Sequence, residues 1–320
     1  MGYRFSDRKK IIRKTFEESE ALRRLRTFLD ETEPGLVYWL VNTWHTQGKA
    51  ITYKELREAI LVGDISWDIL LEWQQDYTKF VKDHLYPRWI EAMERANERL
   101  EQRYPDWYFD PMSDGVREWA ENRSAAFVTE VTDTQIEGLR AVVFRAAVIE
   151  DITVDQLARA IRPMVGLTHP QAVANMRYYE RLIAKGASEK KALDLATRYA
   201  ARQHRYRGYN IARTELAFAY NQGSYLGTLQ AQERGYMGET VKIWCTADDE
   251  RVCPICGALE GKQVAMDEDF DGINPRISGE TIHRVPPAHP SCRCAVMYKE
   301  IAPPVPTIQT TPKIVNLDIQ

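Results

Sequence analysis

The first 244 residues of this chain contain no cysteine, and all five cysteines lie between residues 245 and 294. A disulfide scaffold of a secreted protein spreads its cysteines and keeps their number even, so this distribution argues against that class. Long apolar runs are also missing, since a stretch such as 36–41 is far too short to cross a bilayer. The basic residues at 8–10 are followed by acidic residues and by no apolar segment, which is not the pattern of a signal peptide. We therefore expect a soluble protein that is cytosolic when it is made.

The chain has little net charge, with 43 Lys and Arg residues against 46 Asp and Glu residues. As a whole it has no electrostatic bias towards nucleic acid or anionic lipid. The average conceals a division, because residues 177–213 hold ten basic and three acidic residues, whereas residues 239–280 hold ten acidic and four basic residues. Either the two regions attract each other within the fold, or the basic region contacts DNA or an acidic partner. The candidate contact residues are Arg198, Arg202, Arg205 and Arg207.

Tryptophan is concentrated at one end of the chain, since seven of the eight tryptophans fall in the first 119 residues. This composition indicates a distinct region, residues 1–119, with a boundary near 105–115 where Pro, Asp, Ser and Gly cluster. Aromatic and apolar residues recur at helical spacing over 67–84. They either fill a helical core or form a surface for a partner, because Trp is enriched at interfaces.

The second region, residues 120–238, reads as a succession of helices with marked beginnings. Three Thr-x-x-Gln segments fit the capping box, in which two side chains satisfy exposed amides reciprocally: Thr132 with Gln135, Thr153 with Gln156, and Thr168 with Gln171. Ser188 is predicted to cap a further helix, and a last long helix is predicted over 205–234. The small residues of that last helix predict a close approach to a neighbouring backbone: Gly208, Ala212, Ala219, Gly223 and Gly227.

A change of pattern after residue 238 predicts a small third region, residues 239–300. Gly and Pro become frequent, and short runs at 241–244 and 295–298 are typical of strands. The Pro- and Thr-rich residues 301–320 predict a tail that is disordered or extended on a partner. The expected fold is therefore mainly α: helical N-terminal and central regions, a small α+β zinc-knuckle domain, and an extended C-terminal tail.

Two pairs of metal-ligand residues share one spacing in the third region. Cys253 and Cys256 form a C-x-x-C pair, and His289 and Cys292 form an H-x-x-C pair. Two residues between ligands allow both side chains of a tight turn to face one ion, and two such pairs complete a tetrahedron. We therefore expect a structural zinc on these four residues, with Cys294 as the alternate ligand. The other interpretations are reduced cysteines packed as small apolar groups, or one disulfide.

Neither a catalytic metal nor a calcium loop is expected. A catalytic zinc keeps one position open beside an acid or base, whereas two complete pairs close the site. The zinc deaminases place a Glu two residues after the first ligand, and the segment after Cys245 lacks it. His283 is the candidate base if the chain is instead a nuclease. Residues 267–272 begin like a calcium loop, but Ser278 stands at the closing acidic position, so an exposed acidic turn is expected.

Taken in order, several segments resemble the phage Mu F-like head morphogenesis family of minor head proteins. The resemblance covers about residues 130–300 and rests on Ile211-Ala-Arg-Thr-Glu215, Trp244, Asp249-Glu-Arg-Val-Cys-Pro-Ile-Cys256, Leu259-Glu-Gly261 and Pro286-Pro-Ala-His-Pro-Ser-Cys-Arg-Cys294. It implies a virion component without catalytic activity, present in few copies and bound to the portal protein inside the capsid. Such a protein acts in head assembly and in DNA packaging or delivery, and is in the host cytoplasm during assembly.

Within the resembling segments, Arg213 and Glu215 are two residues apart on a predicted helix and therefore face different directions. We expect each of them to bridge the helical region to the cysteine domain. The leading hypothesis is an assembly protein that is not an enzyme. The alternatives are a metal-dependent nuclease or toxin-like domain, and a non-catalytic DNA-binding module.

Overall fold

A computed structural model describes residues 16–149, 152–247, 249, 251–270 and 285–304. The predictions for residues 8–10, for the acidic loop beyond residue 270, for His283 and for the tail from residue 305 lie outside these ranges. Within the described ranges, every helix is too short or too polar to cross a membrane.

The described part of the chain is mainly helical and carries one small sheet at its C-terminal end. The helices are α1 (Phe16–Ala50), α2 (Tyr53–Val62), α3 (Trp67–Phe80), α4 (Tyr86–Arg103), α5 (Asp114–Ala147), α6 (Val154–Ile161), α7 (His169–Ala184), α8 (Glu189–Glu233) and α9 (Pro254–Leu259). A π-helical turn, Val81–Leu85, joins α3 to α4, and a 3-10 turn, Arg162–Met164, follows α6. The strands are β1 (Thr240–Cys245), β2 (Gln263–Ala265) and β3 (Ala295–Glu300). The predicted fold class, mainly α with a small α+β cysteine unit, is confirmed.

One hydrophobic core runs through the Trp-rich residues and the central helices. It contains buried side chains of α1 to α8, and the packing of α1 and α4 against α8 joins the two regions. Trp44, Trp73 and Trp89 are buried in this core, whereas Trp67 is 69% exposed. Most of the aromatic side chains at helical spacing over 67–84 therefore fill the core, and Trp67 is an exception. The loop expected at 105–115 separates α4 from α5, and the expected boundary at 119/120 falls within α5.

Two of the three predicted capping boxes begin helices. The amide of Thr153 donates to the Gln156 side chain at the start of α6, and the amide of Thr168 donates to the Gln171 side chain at the start of α7. Ser188 caps α8 as predicted, since its side chain accepts from the amide of Lys191. The residue at which each of these three helices begins is therefore determined by its local sequence.

The third predicted capping box, Thr132 with Gln135, is wrong. Both residues are fully buried in the middle of α5, where no backbone amide needs a cap. The Gln135 side chain instead accepts from the hydroxyl of Tyr77 and donates to the Gln47 side chain over 3.1 Å. A tertiary hydrogen-bond network thus uses Gln135, whose spacing from Thr132 imitates a helix start.

Helix α8 is continuous over 45 residues, so the prediction of separate helices on either side of residues 202–205 is wrong. The segment between the two predicted helices contains no Gly or Pro, and its Arg and Gln residues favour helix. The predicted close approach is confirmed: a Cβ at Gly223 would lie 2.3 Å from the Cα of Met93, and one at Gly227 would lie 1.8 Å from the Asn97 side chain. Small residues therefore let α8 pass directly against α4.

The small sheet has the order β2-β1-β3 and is antiparallel throughout. Strands β1 and β3 contain the two predicted strand segments, with Cys245 opposite Ala295 in the register. The unit has its own core around the fully buried Trp244, which stacks edge-on against Phe270, and Tyr225 of α8 completes it. The sheet thereby places the last residue of β1 and the first residue of β3 side by side, and Asn221 of α8 contacts the residues on either side of Ala295.

Candidate metal centre

The first ligand pair is fixed by the beginning of a short helix. Cys253 is the N-cap of α9, and its sulfur accepts from the amide of Cys256 at 3.3 Å. The amide of Gly257 donates to the carbonyl of Cys253 over 2.9 Å. This turn brings the two sulfurs of the C-x-x-C segment to the same side, as the spacing predicted.

The second ligand pair lies on a tight turn before β3. The amide of Cys292 donates to the carbonyl of His289 over 3.1 Å, and Ser291 has a φ of 59°, in the left-handed region. Nδ1 of His289 donates to the carbonyl of Pro290 at 2.9 Å. Because this bond uses Nδ1, the Nε2 atom of the ring is the one left to bind a metal.

Four donor atoms approach one another between the two turns. The distances are 3.2 Å from His289 Nε2 to Cys253 Sγ, 3.2 Å from the same atom to Cys256 Sγ, and 3.7 Å from Cys256 Sγ to Cys292 Sγ. Sulfur ligands about 2.3 Å from a tetrahedral zinc are about 3.8 Å apart, so the sulfur–sulfur distance fits that ion. The donor set is thus of the kind that structural zinc sites use.

Cys294 also belongs to the cluster. The described residues form two groups whose ligand atoms all lie within 4.8 Å of one another: Cys253, Cys256 and His289 form one, and Cys256, Cys292 and Cys294 form the other. The sequence predicts Cys294 only as the alternate ligand. Cys294 directly precedes strand β3, which begins at Ala295, and its thiol lies with those of Cys256 and Cys292. Cys256 is common to both groups.

The buried thiols influence each other strongly. The hydrogen bond between the two sulfurs raises the pKa of Cys256 and lowers the pKa of Cys292, because the thiol of the first stabilises the thiolate of the second. A second thiolate beside the first is disfavoured by charge repulsion and burial. A divalent cation removes this conflict, since metal-bound cysteines are thiolates. Cys245 lies outside both groups, fully buried, with its thiol directed at the carbonyl of Ile243.

Polar side chains of α8 attach the second turn and β3 to the helical region. The amide of Ser291 donates to the hydroxyl of Thr214 over 2.8 Å, and the hydroxyl of Ser291 donates to the Asn210 side chain over 2.8 Å. Asn221 donates to the carbonyl of Cys294 and accepts from the amide of Val296. Sequence reasoning missed these residues, because a Thr or Asn within a helix gives no sign of its partner 70 or 80 positions away.

Arg213 and Glu215 do not bridge to the cysteine unit as expected. Arg213 forms two hydrogen bonds to the carboxylate of Glu33 in α1, at 2.7 and 2.8 Å. Glu215 is buried and pairs with Arg123 of α5, at 2.5 and 3.0 Å. The directions differ as predicted, but both residues tie α8 to other helices, since each points at the side of α8 that α1 or α5 covers.

A different ion pair links the two ligand turns. Both terminal nitrogens of Arg293, between Cys292 and Cys294, donate to Asp249 at 2.5 and 2.7 Å. This bond holds the pKa of the Asp249 carboxyl well below its usual range. The segment before the first turn is thereby fixed to the second.

Three of the four candidate contact arginines face solvent. Arg198, Arg202 and Arg205 follow one face of α8 at spacings of four and three residues, and all three are exposed. The prediction of Arg207 as a contact residue is wrong. Arg207 is buried, and it donates to the carbonyl of Gly166 and to the hydroxyl of Thr134. Nine residues separate Arg207 from Arg198, which on a helix is half a rotation, so its side chain points into the core.

Comparison with known proteins bears on this arrangement. Residues 141–297 match the model of the family described as phage Mu protein F like protein. Through this segment the chain belongs to the phage Mu protein F-like family. No curated protein and no solved structure matches the chain. The matched range contains α6 to α9, strands β1 and β2, the first half of β3 and the whole Cys/His cluster.

Membership in the phage Mu protein F-like family supports a role as a phage head morphogenesis protein. The segments that carry the resemblance meet in space, because the Cys/His pairs form the cluster and Trp244 fills the core behind it. Residues 16–140 lie outside the match and supply α1 to α4 and most of α5. The matched part therefore consists of the cysteine unit and the helices that carry it.

Proposed function

We propose that this chain is a minor head protein, bound to the portal protein inside the phage capsid, which acts in head assembly and in DNA packaging or delivery. The family match over residues 141–297 carries the proposal. The cluster agrees with a scaffold role, because its donors are Cys and His side chains directed at one another and anchored to α8. We infer that the chain is not an enzyme.

The portal association is tested by composition and position. A tagged chain expressed with the other head proteins should co-purify with the portal protein, and mass spectrometry should find a few copies per prohead. Proheads assembled without portal protein are the control and should lack the chain. If the chain is missing from proheads and mature virions alike, or enters portal-free proheads equally well, the proposal is wrong.

Zinc is the metal we propose for the cluster, with Cys253, Cys256 and Cys292 as three ligands and either His289 or Cys294 as the fourth. Bound there, it would cross-link the two turns and neutralise their thiolates. Elemental analysis of the purified chain should give one zinc per molecule, and a thiol titration of the unfolded protein should recover all five cysteines. A metal-free folded protein, or two thiols lost to a disulfide, would refute the assignment.

A second candidate function, DNA contact, is favoured by the exposed arginines of α8. Arg198, Arg202 and Arg205 lie beside the exposed Tyr206 and Tyr209, and basic side chains with aromatic neighbours suit a nucleic-acid backbone and its bases. If the three arginines contact phosphates, changing all three to Gln should reduce the salt slope of DNA binding by about three. The matched control changes three exposed arginines elsewhere: Arg57, Arg95 and Arg117. Equal slopes for both variants would exclude this contact.

The enzyme alternative makes a separate prediction. A nuclease that uses the cluster would cleave DNA with added metal, and His283→Ala or His289→Ala would abolish cleavage in a folded protein. We expect no cleavage by the wild type, because the Nε2 atom of His289 is directed at two sulfurs and is not available as a base. Metal-dependent cleavage by the wild type that is lost in either variant would overturn our inference.

A further inference from the structure

A cavity of about 420 Å³ lies between α1 and the cysteine unit, separate from the metal cluster. Its charged lining comes from three places in the chain: Arg26 and Asp30 of α1, Arg213 of α8, and Asp249, Arg251 and Arg293 of the cysteine unit. Leu22 and Ala247 are among the apolar side chains between them. The volume is in the range of sites that enclose a small ligand or a protein side chain.

Two of the arginines in this pocket are held firmly in place. Arg213 is held by Glu33 through Nε and one terminal nitrogen, and Arg293 is held by Asp249 through both terminal nitrogens. Both guanidinium groups line the same cavity. Fixing two like charges at one cavity costs free energy, and an anion bound there offsets part of that cost.

The guanidinium groups retain hydrogen-bonding capacity. Each has five N–H donors, and among the hydrogen bonds of the described residues Arg213 uses Nε and Nη2 while Arg293 uses Nη1 and Nη2. Arg26 and Arg251 stand at the rim with side chains 83% and 71% exposed. The exposed ion pairs of these two arginines are long, at 3.7 Å to Asp30 and 3.4 Å to Asp249, so fixed donors inside and weakly paired ones at the rim form a site that an anion can enter.

The charge of the pocket indicates the kind of anion. Among the described residues, the four arginines of the lining are opposed by the carboxylates of Asp30, Asp249 and the Glu33 that holds Arg213, so this set has a net charge of one positive unit. This balance matches a single monoanion and not a run of phosphates. The arginines already bind carboxylates in the forked geometry that a planar guanidinium prefers.

We propose that this pocket binds one carboxylate of a protein partner, an Asp or Glu side chain or a chain terminus. Arg213, Asp249, Arg251 and Arg293 all lie in segments that carry the family resemblance, although none of them is a candidate metal ligand. Those segments thus contribute two sites, a metal cluster and an anion pocket on the side facing α1. The proposed binding of a carboxylate does not depend on the role that we propose for the chain in the phage head.

The test uses the full chain with ¹⁵N-labelled arginine and follows the Nε–Hε signals by NMR. The probes are N-acetylglutamic acid amide, its neutral analogue N-acetylglutamine amide, dimethyl phosphate and chloride. We expect saturable shifts of Arg213 and Arg293 with the glutamic acid derivative only. Binding of dimethyl phosphate at equal or greater affinity would overturn the carboxylate assignment, and no saturable shift with any probe would overturn the pocket.

Rim variants test the location. Arg26→Gln and Arg251→Gln remove exposed charges, so the fold is preserved, and each should weaken binding about threefold. Arg57→Gln removes an exposed arginine of α2 outside the pocket and should leave the affinity unchanged. Equal weakening by all three variants would show a general effect of charge and contradict the proposal. Because no head protein is present, the result is independent of the portal experiment.

Discussion

Replacing Cys256 with Ser should abolish metal binding, whereas replacing either His289 or Cys294 should not. Cys256 is the one residue common to both groups of ligand atoms, so each possible tetrahedron loses a ligand and the sulfur that joins the two turns. His289 and Cys294 belong to one group each, and either can occupy the fourth position in the absence of the other. The three variants therefore separate the shared ligand from the two competing ones.

The magnitude follows from the free energy of a structural zinc. Such ions contribute about 10 kcal/mol or more through four ligands, so one ligand is worth roughly 2.5 kcal/mol, or about 70-fold in affinity. Of His289→Gln and Cys294→Ser, the variant that removes the fourth ligand of the wild type should lose less than that factor in affinity, because the other residue can replace it, and the other variant should lose little. For Cys256→Ser we expect substoichiometric zinc and a large fall in the melting temperature.

Competition with a chromophoric chelator measures these affinities, and elemental analysis gives the stoichiometry. Cys245→Ser is the matched control, since Cys245 is buried as deeply as Cys256 but lies outside both groups. It should retain one zinc at wild-type affinity. Full zinc at wild-type affinity in Cys256→Ser would refute the assignment of Cys256 as the shared ligand.

Three further predictions concern the helical region. Glu215→Gln leaves the buried Arg123 without its bidentate partner, so urea unfolding should show a loss of about 3 kcal/mol. Burial lowers the pKa of His204 to about 3, so the unfolded chain protonates first and stability falls as pH drops from about 6.5 towards 3. The stability of His204→Gln relative to wild type should therefore improve by about 2 kcal/mol between pH 7 and pH 5 in urea unfolding; an unchanged difference would exclude the buried neutral ring. Gly223→Ala should cost about 3 kcal/mol through a clash with backbone, whereas Gly208→Ala meets only a methyl group at 3.2 Å and should cost much less; equal losses would contradict the close packing.

Local chemistry explains which features could be predicted from the sequence. The Cys253 and His289 pairs were found because two-residue spacing within a tight turn restricts where both side chains point. Thr153 and Thr168 were found because a cap is completed within four residues. In each case the partner is close along the chain, so the sequence contains the whole interaction.

The errors concern residues whose partners are distant in sequence. Thr132 and Gln135 have the spacing of a cap, but Gln135 is bound to side chains 58 and 88 positions away. Arg207 was predicted to lie with the surface arginines because residues 177–213 are rich in Lys and Arg. Its carbonyl partner, Gly166, lies 41 positions away in the chain. The choice of Cys294 depended on where β3 begins, which its pairing with β1 determines.

The position of β3 also links the metal cluster to the helical region. Asn221 accepts from the amide of Val296 and donates to the carbonyl of Cys294, so one buried side chain of α8 fixes the strand on both sides of Ala295. Ser291, between two candidate ligands, is fixed to the same helix through Thr214 and Asn210. The ligands can therefore surround an ion only when α8 is folded between Asn210 and Asn221. It follows that the free energy of metal binding also stabilises the packing of α8 against the cysteine unit. Because Arg198, Arg202 and Arg205 lie on the same helix but more than one turn before Asn210, metal loss should disturb the middle of α8 and leave its basic face in place.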